Sequence, residues 1–330
     1  MGDEPLVSVL VASFNHERFI EQALDSVVSQ SHRNLELIVV DDCSTDGSVD
    51  RIRRWIERTG QPTVLIVNEK NQGICAVLNQ LFARSSGQFC VLLDSDDWME
   101  PNRIEHHIKH FELLDSNVAL VFGDASVRHE DGRPVGESFL GQTLGDEAIP
   151  NGEAMFDRLL AGNFIPTSAV TVRRSAIIDV GGYDESLAFD DYDMWLRLSH
   201  RFKFSYCEGV VANYRVVSSS MVHSTTWKPL MDRSMIAILQ QWAAVDDVRA
   251  VPSRRLAVAD HLRWAARAIA PFDASCAHGA LRTAGELVPS LRWRIIDGLR
   301  VFHLPGGSRL VERLSVWARA RRSSASVAAA

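Results

Sequence analysis

The sequence predicts an α/β fold, a mostly parallel sheet with helices on both faces, followed by a small α-helical domain. Three observations carry that expectation. Short β-branched runs alternate with stretches of helical periodicity over residues 7–93, the pattern of βαβ units. Polar clusters follow three of those runs, at the strand ends where an open parallel sheet holds its ligands. Beyond Trp227 the chain becomes rich in Ala, Leu and Arg at helical spacing.

Taken in order, residues 7–12 form a continuous apolar run that predicts a buried strand. The segment before it begins acidic, so the run reads as a strand and not as a signal peptide. Ile20, Leu24, Val27 and Val28 recur on one helical face. Residues 35–40 give a second strand, ended by the turn-rich Asp41-Asp42-Cys43-Ser44-Thr45-Asp46-Gly47. Val49, Ile52 and Ile56 mark the next helix, and residues 63–67 the third strand. Ile74, Val77, Leu78, Leu81 and Phe82 line a third helix, and residues 89–93 form the fourth strand.

After Asp97 the rhythm loosens. Pro101 suits a helix start, and Ile104, Ile108 and Phe111 carry that helix towards a strand at 118–123. Residues 124–149 are polar, with Asp131-Gly132 as a hairpin turn. Gly181-Gly182-Tyr183-Asp184-Glu185 is a turn, and residues 190–197 read as a helix. The later helices are interrupted at Pro252, Pro271, Pro289 and Pro305, and the last residues, SSASVAAA, are expected to be disordered. The boundary is expected at 228, with a ligand-binding body over 1–228 and a basic helical domain over 229–330.

Composition mostly excludes. The 330 residues suit one large domain plus an appendage, and 46% apolar with 23% charged residues rules out disorder as the dominant state. Five dispersed Cys with no CxxC pair indicate neither a zinc knuckle nor a disulfide framework and fit reduced thiols in a cytosol. No window approaches the ~20 apolar residues of a membrane span, so a soluble or peripherally bound cytoplasmic chain is expected. The net charge of −7 hides an asymmetry. Residues 249–330 carry 14 Arg, no Lys and 5 acids, while the residues before them hold 21 basic and 37 acidic side chains. An acidic body bears a basic tail, which should meet something anionic.

The polar clusters are Ser13-Phe14-Asn15 after the first strand, Asp41-Asp42 after the second, and Asp94-Ser95-Asp96-Asp97 after the fourth. Carboxylates gathered at one sheet edge repel one another unless a cation is present. Asp-x-Asp there offers the hard oxygens that Mg²⁺ or Mn²⁺ prefers, with positions left for water or phosphate oxygens. Alone, such a triplet is also an ordinary solvated turn. Asp190-Asp191 at a helix start either complements the helix dipole or supplies a general base for an attacking hydroxyl. The residues by themselves leave both readings open.

Four ordered segments resemble the family-2 glycosyltransferases of GT-A fold: VSVLVASFNHERFIEQALDSVVSQ, LELIVVDDCSTDGS, NQGICAVLNQLFARSSGQFCVLLDSDDWMEP and GGYDESLAFDDYDMWLRLS. Together they cover roughly residues 5–217. The resemblance implies inverting transfer of one sugar from a UDP- or dTDP-sugar to a carbohydrate, lipid-linked or small-molecule acceptor. Bacterial cell-envelope polysaccharide, glycolipid or glycoconjugate synthesis is the implied setting. It implies that Asp42 meets the nucleotide base, with Ala12, Ser13 and Phe14 lining that pocket. Gly73 and Asn79 belong to the segment closing over the nucleoside, and Asp94 and Ser95 approach the ribose and diphosphate. Asp96 is the implied ligand of a Mn²⁺ or Mg²⁺ ion, and Asp191 the implied catalytic base. Asp190, Trp195 and Arg197 either shape the acceptor and donor pocket or fix their helix. The Gln-x-x-Arg-Trp motif and membrane helices of processive relatives are missing from this sequence, which favours single addition over polymerisation.

Departures and rivals are legible too. Many relatives carry a His soon after the final Tyr-Arg strand, where this chain reads Tyr214-Arg215-Val216-Val217 and reaches His223 only later. A dehydrogenase would need G-x-G-x-x-G where Ser13-Phe14-Asn15-His16-Glu17 stands, and a nucleotidyltransferase a Gly-rich basic loop there. The remaining rival is a sugar-nucleotide-binding or scaffold protein without turnover, against which the pair Asp96 and Asp191 argues. In the tail, Leu291, Ile295, Leu299 and Phe302, then Leu310, Leu314 and Trp317, form apolar stripes beside arginines. Such helices lie on an anionic membrane or pack on the body or on a second subunit, as in a homodimer. Nucleic acid is not expected, since no aromatic-basic platform accompanies the charge.

Overall fold

The first strand, β1 (Val7–Ser13), is buried along nearly its whole length, as an interior strand covered on both faces must be. The computed structural model describes residues 4–150, 152, 154–217 and 226–290. After β1 come α1 (Ile20–Val28), β2 (Leu35–Asp41), α2 (Ser48–Thr59), β3 (Thr63–Val67), α3 (Ile74–Arg84) and β4 (Phe89–Asp94). The short β5 (Trp98–Met99), α4 (Arg103–Glu112), β6 (Val118–His129), β7 (Pro134–Gly136), α5 (Phe139–Leu144) and α6 (Ala154–Leu160) follow. Then come β8 (Val170–Arg173), α7 (Arg174–Asp179), α8 (Asp191–Arg201) and β9 (Lys203–Val216). The helices α9 (Lys228–Ala244), α10 (Asp246–Ala250), α11 (Pro252–Ile269) and α12 (Ala274–Leu287) complete the described chain. It divides into two compact units, Met1–Ser224 and Thr225–Ala330.

The sheet runs β3-β2-β1-β4-β8-β6-β9-β5, with β7 paired to β6. β1, β2, β3 and β4 are mutually parallel, so their carboxyl ends share one edge. Ser13 sits opposite Asp41 and Ala12 opposite Asp94. The second half is mixed, because β8 enters antiparallel to both β4 and β6 while β6 and β9 are parallel.

Alternation along the strands feeds both faces. Val7, Val9 and Val11 join Ile20, Leu24 and Val27 of α1, Ile52 and Trp55 of α2, and Ile104, Ile108 and Phe111 of α4 in one core. Trp55 Nε1 donates to Asp25 Oδ1 at 2.7 Å, which satisfies its polar atom while the ring is buried. On the other face α3 packs on β1 and β2. Each fully buried aliphatic side chain contributes roughly 1.5–3 kcal/mol, so this two-faced core fixes the strand ends that carry the polar clusters.

In the second unit α11 packs on α9 and α12. Leu239, Trp242, Leu262, Ala266, Ile269, Ala277, Ala280 and Ala284 are buried there. Asp273 caps α12 by accepting from Cys276 N at 2.9 Å. Pro252 occupies the first turn of α11, where its missing N–H costs nothing. Among the described residues no helix is long and apolar enough to cross a membrane. His223, the apolar stripes beyond Leu291 and the final residues lie outside the described part of the chain.

One stretch departs from expectation. The strand anticipated at 118–123 continues to His129, while the expected turn at Asp131-Gly132 does join β6 to β7, with Gly132 at φ +83°. Asp124 is tolerated inside because Ala125 N, Leu140 N and the Ser138 hydroxyl all donate to it.

Candidate active site

The loops after β1 and β2 are knitted together by their polar side chains. Asp41 accepts from Ser13 Oγ at 2.9 Å, from Ser44 N at 2.8 Å and from Ser44 Oγ at 2.7 Å. Asn15 and Cys43 both adopt positive φ, 54° and 64°, at the tips of these loops. Asp42 turns the other way. Its carboxylate accepts from Asn68 Nδ2 at 2.8 Å and from the backbone N–H groups of Gln72 and Gly73 at 2.9 Å, which shapes the loop after β3. Gly73 has φ +87°, a conformation that suits glycine there. Beside this loop a cavity of about 470 Å³ is lined by Val67, Asn68, Glu69, Lys70 and Gln72. Phe14, just past the end of β1, lies 40% exposed.

The Asp94–Asp97 turn lies beside Ala12, with Ser95 N donating to Ala12 O at 3.3 Å. Ser95 Oγ and His16 Nδ1 share a 2.8 Å hydrogen bond, and the same nitrogen is 3.8 Å from Asp96 Oδ1. Asp97 is buried and accepts from Arg215 N at 2.7 Å. Beneath the turn Arg103 is wholly buried, donating from Nη2 to Val170 O at 2.7 Å and Leu92 O at 3.3 Å. Burial pushes its guanidinium downwards, opposed by Asp97 and Asp94. Burial and then repulsion from Asp96 and Asp191 push Asp94 up to about 7. Asp97 is driven well upwards by burial and by Asp96 and Asp94.

The last cluster is positioned by the glycine turn. Gly181 and Gly182 have φ +86° and +75°, and a Cβ on Gly182 would stand 2.9 Å from Asn79 Oδ1. The chain then enters α8, whose first residue is Asp191. Asp191 Oδ2 accepts from Asn163 Nδ2 at 2.7 Å and Thr167 Oγ1 at 3.4 Å, and Oδ1 from Tyr192 N at 2.6 Å. Burial raises its carboxyl, and these hydrogen bonds counter the rise. Asp190 is raised by burial and then by Asp191 and Asp94.

The structure therefore gathers Ala12, Ser13, Phe14, Asp42 and Gly73 at one end of the edge, and Asp94, Ser95, Asp96, Asp190 and Asp191 at the other. Three residues are engaged elsewhere, which for Trp195 and Arg197 matches the alternative that they fix their helix. Asn79 is spent on the glycine turn, Trp195 is 0% exposed in the core, and Arg197 pairs with Asp193 and donates to Val180 O. Sequence reasoning missed Arg103, His16, Asn163 and Thr167. For Arg103 a signal existed, since a basic residue at a helix start opposes the dipole and invites the question of what holds it.

The carboxylates fit a divalent cation in part. The raised proton affinity of Asp94, Asp97 and Asp190 marks a strongly negative spot, and Asp96 keeps a side chain 15% exposed with hard oxygens. Among the described residues no three acidic, His or Cys side chains form a complete metal cage, so a bound anion would have to supply further oxygens.

A family model described as Glycosyl transferase family 2 matches residues 8–181. In Bacillus subtilis (strain 168) a protein provisionally named as the teichuronic acid biosynthesis glycosyltransferase TuaG is 29% identical over 227 residues, covering 68% of this chain and 84% of that protein. Chondroitin synthase of Pasteurella multocida (strain Pm70) is 28% identical over 210 residues, 63% of this chain and 20% of that one. Among solved structures, S. aureus TarS residues 1–349 with UDP-GlcNAc superposes with a TM-score of 0.59 at 17% identity, covering 89% of this chain and 79% of that one. The mannosyltransferase PcManGT of Pyrobaculum calidifontis with GDP-Man and Mn²⁺ gives 0.55 at 18% identity, covering 94% and 88%. At such identities the likeness shows the fold, the GT-A α/β arrangement with C-terminal helices.

Proposed function

The chain belongs to glycosyl transferase family 2, and from that premise we propose that it transfers one sugar from a nucleoside-diphosphate sugar to an acceptor hydroxyl with inversion. The observation that carries the reading is that Asp191, at the head of α8, accepts from Thr167 at 3.4 Å, on a turn packed against β4, whose end carries Asp94. A donor-binding edge and a candidate base thus face one another. Relatives named for teichuronic acid synthesis, and neighbours bound to UDP-GlcNAc and GDP-Man, support a polysaccharide-type setting and a nucleotide-sugar donor.

In this reading Phe14, Ala12 and Ser13 bound the base, Asp42 and Gly73 hold the loop beside it, and Asp94 and Ser95 approach the ribose and diphosphate. Asp96 would hold a Mn²⁺ or Mg²⁺ ion, which would supply positive charge to stabilise the leaving nucleoside diphosphate. Asp191 accepts the proton of the acceptor hydroxyl as it attacks the anomeric carbon. Attack from the face opposite the diphosphate inverts the carbon in one step, with no covalent intermediate on the protein. Asn163 and Thr167 hold the carboxylate of Asp191 towards its charged form. Burial and then the neighbouring Asp191 and Asp94 raise the carboxyl of Asp190 beside it.

A thermal-shift panel of UDP-, dTDP- and GDP-sugars, with and without Mn²⁺, tests the reading. One donor should raise Tm more with Mn²⁺ than without, and Asp96→Asn should remove that difference. No donor producing a metal-dependent shift would count against it.

A further inference from the structure

Arg215 in β9 is the most heavily engaged side chain near the acidic turn. It is 4% exposed. Its backbone N–H donates to Asp97 Oδ1 at 2.7 Å, and its Nε donates to the main-chain carbonyl of Asp96 at 2.7 Å. Nη1 donates to Glu130 O at 2.6 Å, at the tip of the β6–β7 hairpin. Nη2 donates to Gln22 Oε1 at 2.8 Å, on α1. The guanidinium carbon stands 4.6 Å from the Phe19 ring centroid and 4.6 Å from that of Trp98, so aromatic rings accompany it on two sides.

We infer that Arg215 is a positioning residue that fixes the direction of the Asp96 carboxylate, and so sets the affinity for a divalent cation held between Asp96 and a nucleoside diphosphate. The reason is geometric. Two bonds from one residue grip the Asp96 carbonyl and the Asp97 side chain, which pins the peptide plane that follows Asp96 and limits rotation of its Cα–Cβ vector. A planar fork with donors on three nitrogens can hold the Asp96 carbonyl, α1 and the hairpin together, whereas a lysine ammonium cannot span all three. Because each of its three side-chain nitrogens already donates to the protein and the residue is 4% exposed, Arg215 acts through Asp96 and not on the donor. The inference rests on the assignment of Asp96 as cation ligand made above.

Isothermal titration of the full chain with UDP, dTDP and GDP, with and without Mn²⁺, tests it. In the wild type the best-bound nucleotide should gain affinity with Mn²⁺. In Arg215→Lys that gain should fall by roughly 10–100-fold, the usual cost of removing a residue that orients a metal ligand, while metal-free affinity stays within about twofold. Gln22→Ala, which frees only one of the fork's nitrogens, should show a smaller loss of the same kind and decides the matter if Arg215→Lys does not fold. A Mn²⁺ gain equal to wild type in the folded variants would overturn the inference and leave Asp96 as ligand standing. Equal loss with and without Mn²⁺ would also overturn it, leaving Arg215 a general brace. No Mn²⁺ gain in the wild type would overturn both.

Discussion

The side chain of Asn79 on α3 grips the main chain of Tyr183 in both directions: its Oδ1 accepts from Tyr183 N at 2.8 Å and its Nδ2 donates to Tyr183 O at 3.0 Å. The same Nδ2 reaches Glu185 Oε1 at 2.9 Å. This clamp fixes the turn that leads into α8 and therefore sets where Asp191 stands. Asn79→Ala should cost about 1–3 kcal/mol of stability, from the stranded backbone groups. In steady-state kinetics kcat should fall more than donor affinity. A large rise in donor KM with kcat preserved would instead put the side chain in contact with the nucleoside.

The protonation of Asp191 should appear in the pH profile. Burial raises its carboxyl above the usual aspartate value, so the acid limb of kcat/KM should lie above the ordinary ~4, with activity lost as pH falls through it. Asn163→Ala removes a donor to the charged form and should move that limb to higher pH. An unmoved limb would contradict Asp191 as the group that titrates.

Trp195 should behave as a core residue. It is 0% exposed, so Trp195→Ala should destabilise the fold by about 3–5 kcal/mol, read by urea unfolding. Transfer and donor binding should then be lost together on warming. Unchanged stability with altered substrate preference would return it to the pocket.

At the opposite edge of the sheet, Glu36 ties β2 to β1 and to the start of β4. Burial raises its carboxyl, but hydrogen bonds from Ser8, Ser86 and Gly87 outweigh burial and hold it below the usual glutamate value. A depressed carboxylate stabilises the fold above its unfolded pKa, about 4.3, and that contribution vanishes as pH falls through the lower folded value. Glu36→Gln should therefore unfold a few degrees earlier at pH 7, with the gap closing as pH drops below about 4. A gap that persists in acid would show that shape, not charge, matters there.

The legible parts and the hidden ones differ for physical reasons. β1 and β4 are buried almost throughout and β2 over most of its length, so they read as apolar runs with helices between, and their polar ends stand out; the edge strand β3 is just as apolar although Val64 and Val67 are exposed. β9 was not delimited from the residues alone, because KFSYCEGVVANYRV mixes buried and exposed positions and carries Gly209 at φ +116°. The continuation of β6 is hidden by the polar Asp124 and Ser126, which are satisfied inside by Ser138, Leu140 and Gly136 of the following segment. Asp94, Asp96 and Asp191 could be singled out from spacing and resemblance. Arg215 could not, and Arg103 only by its place at a helix start, since the worth of a buried cation depends on which carboxylates the fold brings to it.

Donor titration of wild type and Asp191→Asn, run beside a transfer assay with the donor identified by the panel, weighs the assignment of Asp191 as the base. Donor affinity within about threefold of wild type with transfer abolished is the expected result, because the base acts on the acceptor hydroxyl and not on the nucleotide. Donor affinity collapsing together with the rate, in a folded variant, would contradict it and make Asp191 a donor ligand or a structural residue.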